Sequence, residues 1–191
     1  FSEFDEKKQL ITYMNYLKKI NNQIKFDAIG LSFVQTDKLV KKIKLKFKSK
    51  AIVSKIENAK GLKNISQISK CSDAIMIDRG DLAAEIGDEG LFDSIVHVFN
   101  ECKKNGTPLI LATENLGSMI NRESPAKSEV ISLGFSKQLN VDRIMLSEET
   151  ATYKNCFKIL HWLKKFLSIQ DNKVAKNKYK KNLSFWDLFK L

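Results

Sequence analysis

The sequence has few of the residues that build metal clusters and disulfide frameworks. It contains three cysteines and two histidines in 191 residues, with no Cys-x-x-Cys pair and no Cys/His cluster. An odd number of widely spaced cysteines is typical of reduced thiols inside a cell rather than of a disulfide-stapled secreted domain. We therefore interpret Cys71, Cys102 and Cys156 as structural thiols and expect a cytoplasmic location.

Long apolar runs and targeting patterns are also missing. No run of about 18 apolar residues is present, so we predict no transmembrane helix. Residues 1–5 are acidic and mixed, unlike a signal peptide, and the chain does not begin with Met, so we expect further residues upstream. The net charge of +11 favours anionic ligands such as phosphorylated metabolites. Zinc-finger spacing and RNP-type aromatic patterns are absent, so we predict no nucleic-acid partner. The lack of a long apolar run argues against membrane association of the main part of the chain.

What the sequence does contain is a regular alternation of two kinds of segment. Short apolar runs, which predict buried strands, occupy 26–34, 51–56, 73–77, 109–112 and 142–146. Segments with helical spacing of apolar residues occupy 36–48, 60–69, 92–103, 126–138 and 155–168. This alternation predicts an α/β fold with a parallel sheet. Either an open doubly wound sheet or part of a (β/α)8 barrel fits, although no G-x-G-x-x-G follows the first strand.

Polar residues directly follow the predicted strands. The carboxyl ends of parallel strands meet at one edge, where α/β proteins bind their ligands. The pattern predicts a shared site for an anionic ligand or a metal, and the alternative is a solvated loop face. These polar residues are Lys55, Glu57, Asp78, Arg79, Gly80, Asp81, Thr113, Glu114, Asn115, Ser147, Glu148, Glu149 and Thr150.

The residue types indicate a chemistry for this edge. Glu57 and Asp81 could together hold Mg²⁺ or Mn²⁺, since Mg²⁺ commonly takes one or two carboxylates plus substrate oxygens. Lys55 lies two residues before Glu57 and so on the same face of a strand, where its charge could stabilise an oxyanion such as an enolate. A helix that starts at Gly80 would offer free amides to a carboxylate or phosphate. For Lys55 and Glu57 alone, an ordinary ion pair is the alternative.

Six segments, in one order and at one spacing, resemble the pyruvate kinase family. The resemblance covers residues 2 to about 168, and it implies an incomplete parallel (β/α) barrel of TIM type with about five of the eight βα units. It also implies a partial barrel over 1–169 and a basic, aromatic tail over 170–191. The segments are GLSFVQT (30–36), IVSKIEN (52–58), SDAIMIDRGDLAAEI (72–86), GTPLILATENLGSMI (106–120), ESPAKSEV (123–130) and DRIMLSEETA (142–151).

The resemblance implies roles for individual residues. Glu57 and Asp81 match metal ligands, and Lys55 matches the lysine that stabilises the enolate and the transferring phosphoryl group. Thr113 matches the threonine near the enolate carbon that is protonated. The remaining matches are substrate-binding: Arg79, Gly80 and Asp81 form the turn whose amides hold the phosphoenolpyruvate carboxylate, and Ser147 and Glu149 belong to the motif that closes the site.

The implied activity is metal-dependent phosphoryl transfer between phosphoenolpyruvate and ADP, giving pyruvate and ATP. The family also uses K⁺, but its ligands lie in barrel strands that this chain lacks, together with the lid and the C-terminal domain. We therefore expect a fragment of a longer protein, a homo-oligomer, or association with a chain that supplies the missing strands.

Three carboxylates depart from the family pattern, at Asp78, Glu114 and Glu148. With the missing strands, they favour an alternative, which is a catalytically inactive homologue that binds a metabolite or serves as a structural subunit. A C–C lyase of the wider enolate-forming superfamily fits less well, because it lacks the SEET and TENLGSM segments. For the tail, a helix packed on the barrel and an anchor for a partner or a membrane surface both remain open.

Overall fold

Five short strands occur in the described part of the chain, and in the longer ones the side chains alternate between two environments. The computed structural model describes residues 6–21 and 23–177. In the second strand Ile52 and Ile56 are fully buried, whereas Val53 and Lys55 between them are half-buried. This period of two is the pattern of a strand with different neighbours on its two faces. The strands are β1 Ala28–Leu31, β2 Ala51–Ile56, β3 Ala74–Asp78, β4 Leu109–Ala112 and β5 Arg143–Ile144.

The strands form one parallel sheet in the order β1-β2-β3-β4-β5. A doubly wound sheet reverses its strand order at a switch point, whereas a barrel adds strands in chain order. The order therefore decides between the two predicted architectures. The sheet is an open arc of five strands, as expected for part of a TIM-type barrel, and the predicted fold class is confirmed.

The helices that lie between β1 and β4 in the chain bury one face of the sheet. The alternate strand residues Ile29, Ile52, Ile75 and Leu109 belong to one apolar cluster with residues of the helices. Burying each such side chain contributes about 1.5–3 kcal/mol. The helices are α1 Glu6–Asn21, α2 Asp37–Lys46, α3 Ala59–Lys63, α4 Ile65–Cys71, α5 Arg79–Ile86, α6 Asp88–Asn105, α7 Lys127–Gln138, α8 Glu148–Thr152 and α9 Cys156–Asn177, with a short 3₁₀ helix at Gly117–Ile120.

Several predicted elements differ in extent from the observed ones. β4 has the predicted bounds, but β5 pairs over two residues only. The helix predicted over 60–69 is divided at Asn64, whose side-chain amide donates a hydrogen bond to the carbonyl of Gln35, 2.8 Å away. Helix α1 lies outside the predicted elements, and α9 continues to Asn177 across the predicted boundary at 169.

The chain divides into two compact units. The first comprises 1–115 and 139–147 and contains the whole sheet, and the second comprises 116–138 and 148–191. The division into a barrel over 1–169 and a tail over 170–191 stays a prediction, and residues 178–191 of that tail lie outside the described residues. Among the described residues, no helix combines the length and the apolar character needed to cross a membrane.

Candidate active site at the carboxyl edge of the sheet

The carboxyl ends of β2, β3 and β4 bring most of the predicted site residues together in the first unit. The register pairs Lys55 with Met76, and Asp78 with Ala112. The last residues of three neighbouring strands therefore lie side by side, as parallel pairing requires. Glu57 follows β2 directly, and Asp81 lies in the first turn of α5, directly after β3.

Glu57 is a completely buried carboxylate. Its exposed fraction is 0%. One carboxylate oxygen, Oε2, accepts a short hydrogen bond from the backbone N–H of Phe33, which has a left-handed φ of 51°. The other oxygen, Oε1, is ion-paired with Lys55, whose Nζ lies 2.5 Å away, and it accepts no other hydrogen bond among the described residues. Burial raises the pKa of Glu57 above its ordinary value, against the opposing effects of Lys55 and of the Phe33 amide.

Lys55 lies between two carboxylates. Its Nζ is 2.5 Å from Oε1 of Glu57 and 3.5 Å from Oδ2 of Asp78. Burial acts to lower the pKa of Lys55, but the two carboxylates outweigh it, so its pKa is raised. The ammonium group is therefore charged at neutral pH, and its side chain retains 22% exposure towards solvent. A fixed, partly desolvated cation of this kind can stabilise a developing oxyanion.

Three carboxylates converge beside this lysine. Glu57, Asp78 and Asp81 each offer one oxygen, and these three oxygens all lie within 4.8 Å of one another. Glu57 and Asp78 are buried, whereas Asp81 is exposed. Oxygen donors at this spacing, one of them on a fully buried side chain, suit a hard divalent cation such as Mg²⁺ or Mn²⁺. The residues therefore fit the cation that the sequence predicts.

Arg79 forms the corner between β3 and α5, and its side chain points into the end of β4. The residue is 5% exposed. Its guanidinium donates hydrogen bonds to the carbonyls of Ala112 and Thr113 and, at 2.8 Å, to Oδ1 of Asn115. Burial lowers the pKa of Arg79, against the opposing charges of Glu114 and Asp78. The side chain thus joins the two strand ends and fixes the corner that carries the backbone amides of α5.

The side chain of Thr113 forms hydrogen bonds with the first backbone amides of α5. Its Oγ1 accepts hydrogen bonds from the backbone N–H groups of Arg79, at 3.1 Å, and Gly80, at 3.4 Å, and donates one to the carbonyl of Ala112, at 2.7 Å. Thr113 and Glu114 both have left-handed backbones, with φ of 63° and 50°. Such a conformation is rare for a β-branched residue, and strain of this kind concentrates at functional sites. The hydroxyl is thereby held at the N-terminus of α5.

Two of the predicted substrate-binding residues come from the part of the chain that follows β5. Ser147 follows β5 in the first unit and is half-buried, whereas Glu149 lies in α8 of the second unit and is exposed. Neither belongs to the group of converging carboxylates, which consists of first-unit residues. The roles of all the predicted site residues in binding and catalysis stay predictions.

Three contributors to the site have no assigned role in the sequence analysis. Asp78 and Asn115 are named there only among the polar residues that follow the strands, and Asp78 also as an added charge. The carboxylate of Asp78 joins those of Glu57 and Asp81. Asn115 is 1% exposed, and its amide donates hydrogen bonds to the carbonyls of Met145, at 2.9 Å, and Leu111, at 3.4 Å. The Phe33 amide has no signal in the sequence, because every residue carries a backbone N–H.

Comparison with known proteins supports the resemblance to the pyruvate kinase family. The family model for the pyruvate kinase barrel domain matches residues 14–157. A pyruvate kinase of Encephalitozoon cuniculi is 39% identical over 126 residues, which are 65% of this chain and 29% of that protein. One from Thermoplasma acidophilum is 34% identical over 153 residues, which are 78% of this chain and 28% of that protein. This chain thus spans less than a third of the length of either relative.

A solved structure gives the same result for the fold. The crystal structure of Cryptosporidium parvum pyruvate kinase superimposes with a TM-score of 0.74 at 27% sequence identity, covering 93% of this chain and 40% of that one. The family model alone matches well over half of the residues, with the converging carboxylates inside the matched range. On these grounds the chain belongs to the pyruvate kinase family and corresponds to part of its barrel.

Proposed function

We propose that the carboxyl edge of the first unit binds a divalent cation and phosphoenolpyruvate, and that it serves phosphoryl transfer between phosphoenolpyruvate and ADP. The observation that carries the proposal is the grouping of Lys55, Glu57 and Asp81 at adjoining strand ends. Phosphoryl transfer depends mainly on positioning and on electrostatic stabilisation, and this group supplies both acidic cation ligands and a fixed positive charge.

Each residue has a distinct task in this proposal. Glu57 and Asp81 hold Mg²⁺ or Mn²⁺, and the bound cation neutralises charge on the substrate oxygens. Lys55 stabilises the negative charge that develops on the enolate oxygen when the phosphoryl group leaves. Arg79 acts as a positioning residue, because its hydrogen bonds fix the corner at which α5 begins, where the amides of Arg79 and Gly80 donate to Thr113.

The proposed reaction moves one phosphoryl group and then one proton. The bond between phosphorus and the enolate oxygen of phosphoenolpyruvate breaks, and a terminal oxygen of ADP forms a new bond to phosphorus. The resulting enolate takes up a proton at its methylene carbon and becomes pyruvate. We assign Thr113 to this second step, and the assignment is supported by its hydroxyl, which lies beside the amides of Arg79 and Gly80.

The complete reaction is proposed for an assembly in which the barrel is closed. The sheet ends in the edge strands β1 and β5, and an eight-stranded barrel has no edges. Three further βα units would come from the same polypeptide, from a second copy or from another subunit. The K⁺ used in the family is assigned to that part of the assembly.

The second step, in which the enolate takes up a proton, can be tested on this chain without ADP. A site that stabilises the enolate exchanges the methyl protons of pyruvate in heavy water, which proton NMR measures. We expect exchange that requires Mg²⁺ or Mn²⁺ and falls at least about tenfold in Lys55→Met, since a lost electrostatic donor typically costs about a hundredfold or more.

The matched control is Lys104→Met. Lys104 also forms an ion pair, with Glu101 at 4.0 Å, but on the exposed surface of α6, so its loss should leave the exchange rate unchanged. Exchange that is equal in the Lys55→Met variant and the unaltered chain would contradict the role given to this lysine.

A further inference from the structure

Asp78 ends β3 at the N-cap position of α5, but its side chain does not cap that helix. Aspartate is a preferred N-cap residue because its carboxylate accepts hydrogen bonds from the first amides of a helix. In the described part of this chain, Asp78 makes no side-chain capping bond. The side chain is instead 12% exposed and has Lys55 Nζ at 3.5 Å from its Oδ2.

A mostly buried carboxylate needs a partner, and this one shares its partner with Glu57. Lys55 lies closer to Glu57, at 2.5 Å, than to Asp78, at 3.5 Å. The longer distance leaves the negative charge of Asp78 only partly compensated, which is costly at this burial. A cation bound beside these residues would compensate it.

The local charges match a divalent cation. Glu57, Asp78 and Asp81 together carry three negative charges, and Lys55 carries one positive charge, which leaves two negative charges in the group. The nearby cation Arg79 directs its hydrogen bonds to the end of β4 and interacts with the charge of Glu114 as well as with that of Asp78.

Glu57 gives an independent indication that a ligand belongs here. Its side chain is 0% exposed, and its Oε1 has the ion pair with Lys55 as its contact, without a further hydrogen bond among the described residues. Oxygens of Asp78 and Asp81 lie within 4.8 Å of a Glu57 oxygen and of each other. A fully buried carboxylate that faces two others is a donor placed for a metal ion rather than for solvent.

We propose that Asp78 is a third protein carboxylate of the cation site, so that this chain binds a divalent cation without phosphoenolpyruvate. The proposal deepens the proposed function and rests on it for the identity of the substrate. Mg²⁺ sites with two protein carboxylates complete their coordination with waters and substrate oxygens, and the substrate oxygens add to the affinity. A third carboxylate reduces the dependence on those oxygens, and its negative charge also repels the anionic substrate.

The test measures Mn²⁺ binding by the EPR signal of the free ion, using the 191-residue chain with and without phosphoenolpyruvate. We expect Asp78→Ala to weaken Mn²⁺ binding about tenfold or more in the absence of phosphoenolpyruvate. We also expect phosphoenolpyruvate to tighten Mn²⁺ binding by a larger factor in Asp78→Ala than in the unaltered chain. Asp78→Asn keeps the shape of the side chain, so it serves if the alanine variant does not fold.

The matched control is Asp27→Ala. Asp27 is an exposed acid just before β1, at the amino edge of the sheet, and its loss removes the same charge from the same unit. Its Mn²⁺ affinity should stay within about twofold of that of the unaltered chain. Circular dichroism and thermal unfolding in EDTA establish that each variant is folded.

The outcomes separate this inference from the proposed function. In one outcome, Glu57→Ala removes Mn²⁺ binding, whereas Asp78→Ala and Asp78→Asn leave it unchanged or tighter. This result overturns the role of Asp78 and leaves the proposed function standing. In a second outcome, Mn²⁺ binding depends on Asp78, but phosphoenolpyruvate changes it in no variant. This result supports the third carboxylate and contradicts the proposed substrate. No Mn²⁺ binding by the unaltered chain overturns both.

Discussion

Replacing Arg79 by methionine should destabilise the first unit strongly, because its side chain satisfies three acceptors at the end of β4. The guanidinium is 5% exposed and donates to the carbonyls of Ala112 and Thr113 and to Oδ1 of Asn115. Methionine fills a similar apolar length but donates no hydrogen bond. The variant therefore leaves three polar atoms without this donor in a region closed to water.

The magnitude follows from those acceptors. A buried group left without its partner costs about 1–3 kcal/mol, and hydrogen bonds from a charged donor are at the upper end. Part of this loss is regained, because the guanidinium no longer has to be desolvated. We expect the free energy of unfolding to fall by about 3 kcal/mol, a large share of the 5–15 kcal/mol typical of a folded domain. Arg79→Lys should lose about 2 kcal/mol, since one ammonium group cannot reach all three acceptors.

Urea unfolding followed by circular dichroism measures these losses. Arg143→Met is the control, because Arg143 is an exposed arginine of the same unit that donates one hydrogen bond, to the carbonyl of Asp142. Its substitution should change the free energy of unfolding by no more than about 0.5 kcal/mol. A loss below about 1 kcal/mol in Arg79→Met would refute the view that this side chain holds the corner between β3 and β4.

Three further predictions concern other parts of the first unit. Gly61→Ala should lower the free energy of unfolding by about 1–3 kcal/mol in the same urea assay, because a Cβ there would lie 2.6 Å from the carbonyl oxygen of Val34. Burial raises the pKa of the Cys102 thiol to about 12 from an ordinary 9.0. A thiol reagent at pH 8 should therefore modify Cys102 only as fast as the chain unfolds locally. The free energy of unfolding should fall between pH 9 and 12, because the thiol of the unfolded chain ionises at lower pH than that of the folded chain. Burial acts to raise the pKa of Asp73, but Lys44 and the Ile52 amide outweigh it and hold the pKa below 3.8. The Lys44–Asp73 pair is 39% exposed and screened by solvent, so Asp73→Asn should cost about 0.5 kcal/mol at pH 7, and its difference from the unaltered chain in urea unfolding should shrink as the pH falls below about 4.

The sequence predicts the sheet well where strands are apolar runs bounded by turn residues. β4 has the predicted bounds because Gly106-Thr107-Pro108 precedes it and polar residues follow it. β5 is shorter than predicted, because pairing depends on the neighbouring strand as well as on apolar character. Strand order is also a tertiary property, so the alternation of strands and helices left two architectures open, whereas the family resemblance implied the barrel that the observed strand order confirms.

The candidate site was predictable to the extent that it depends on strand periodicity. Lys55 and Glu57 stand two residues apart, and the structure places their charged groups in contact. The position of Asp81 beside them follows from the pairing of β2 with β3. The hydrogen bond from the Phe33 amide to Glu57 was not predictable, because it comes from the backbone of a loop 24 residues earlier in the chain.

The direction of the Arg79 and Asp78 side chains was not predictable either. The sequence predicts that both residues follow a buried strand, but it does not indicate where their side chains point. In the structure, Arg79 is buried against the end of β4, and Asp78 faces Lys55. Both outcomes depend on which acceptors and charges the neighbouring strands present, and local sequence does not contain that information.

The most direct test of the account is whether phosphoenolpyruvate and Mn²⁺ bind to one site on this chain. The measurement is a Mn²⁺ titration by EPR with and without phosphoenolpyruvate, comparing the unaltered chain with Glu57→Gln and Asp81→Asn. The account predicts that phosphoenolpyruvate tightens Mn²⁺ binding in the unaltered chain and that either substitution removes this effect. Mn²⁺ binding that is absent at millimolar concentrations, or that is the same in all three proteins, would contradict it.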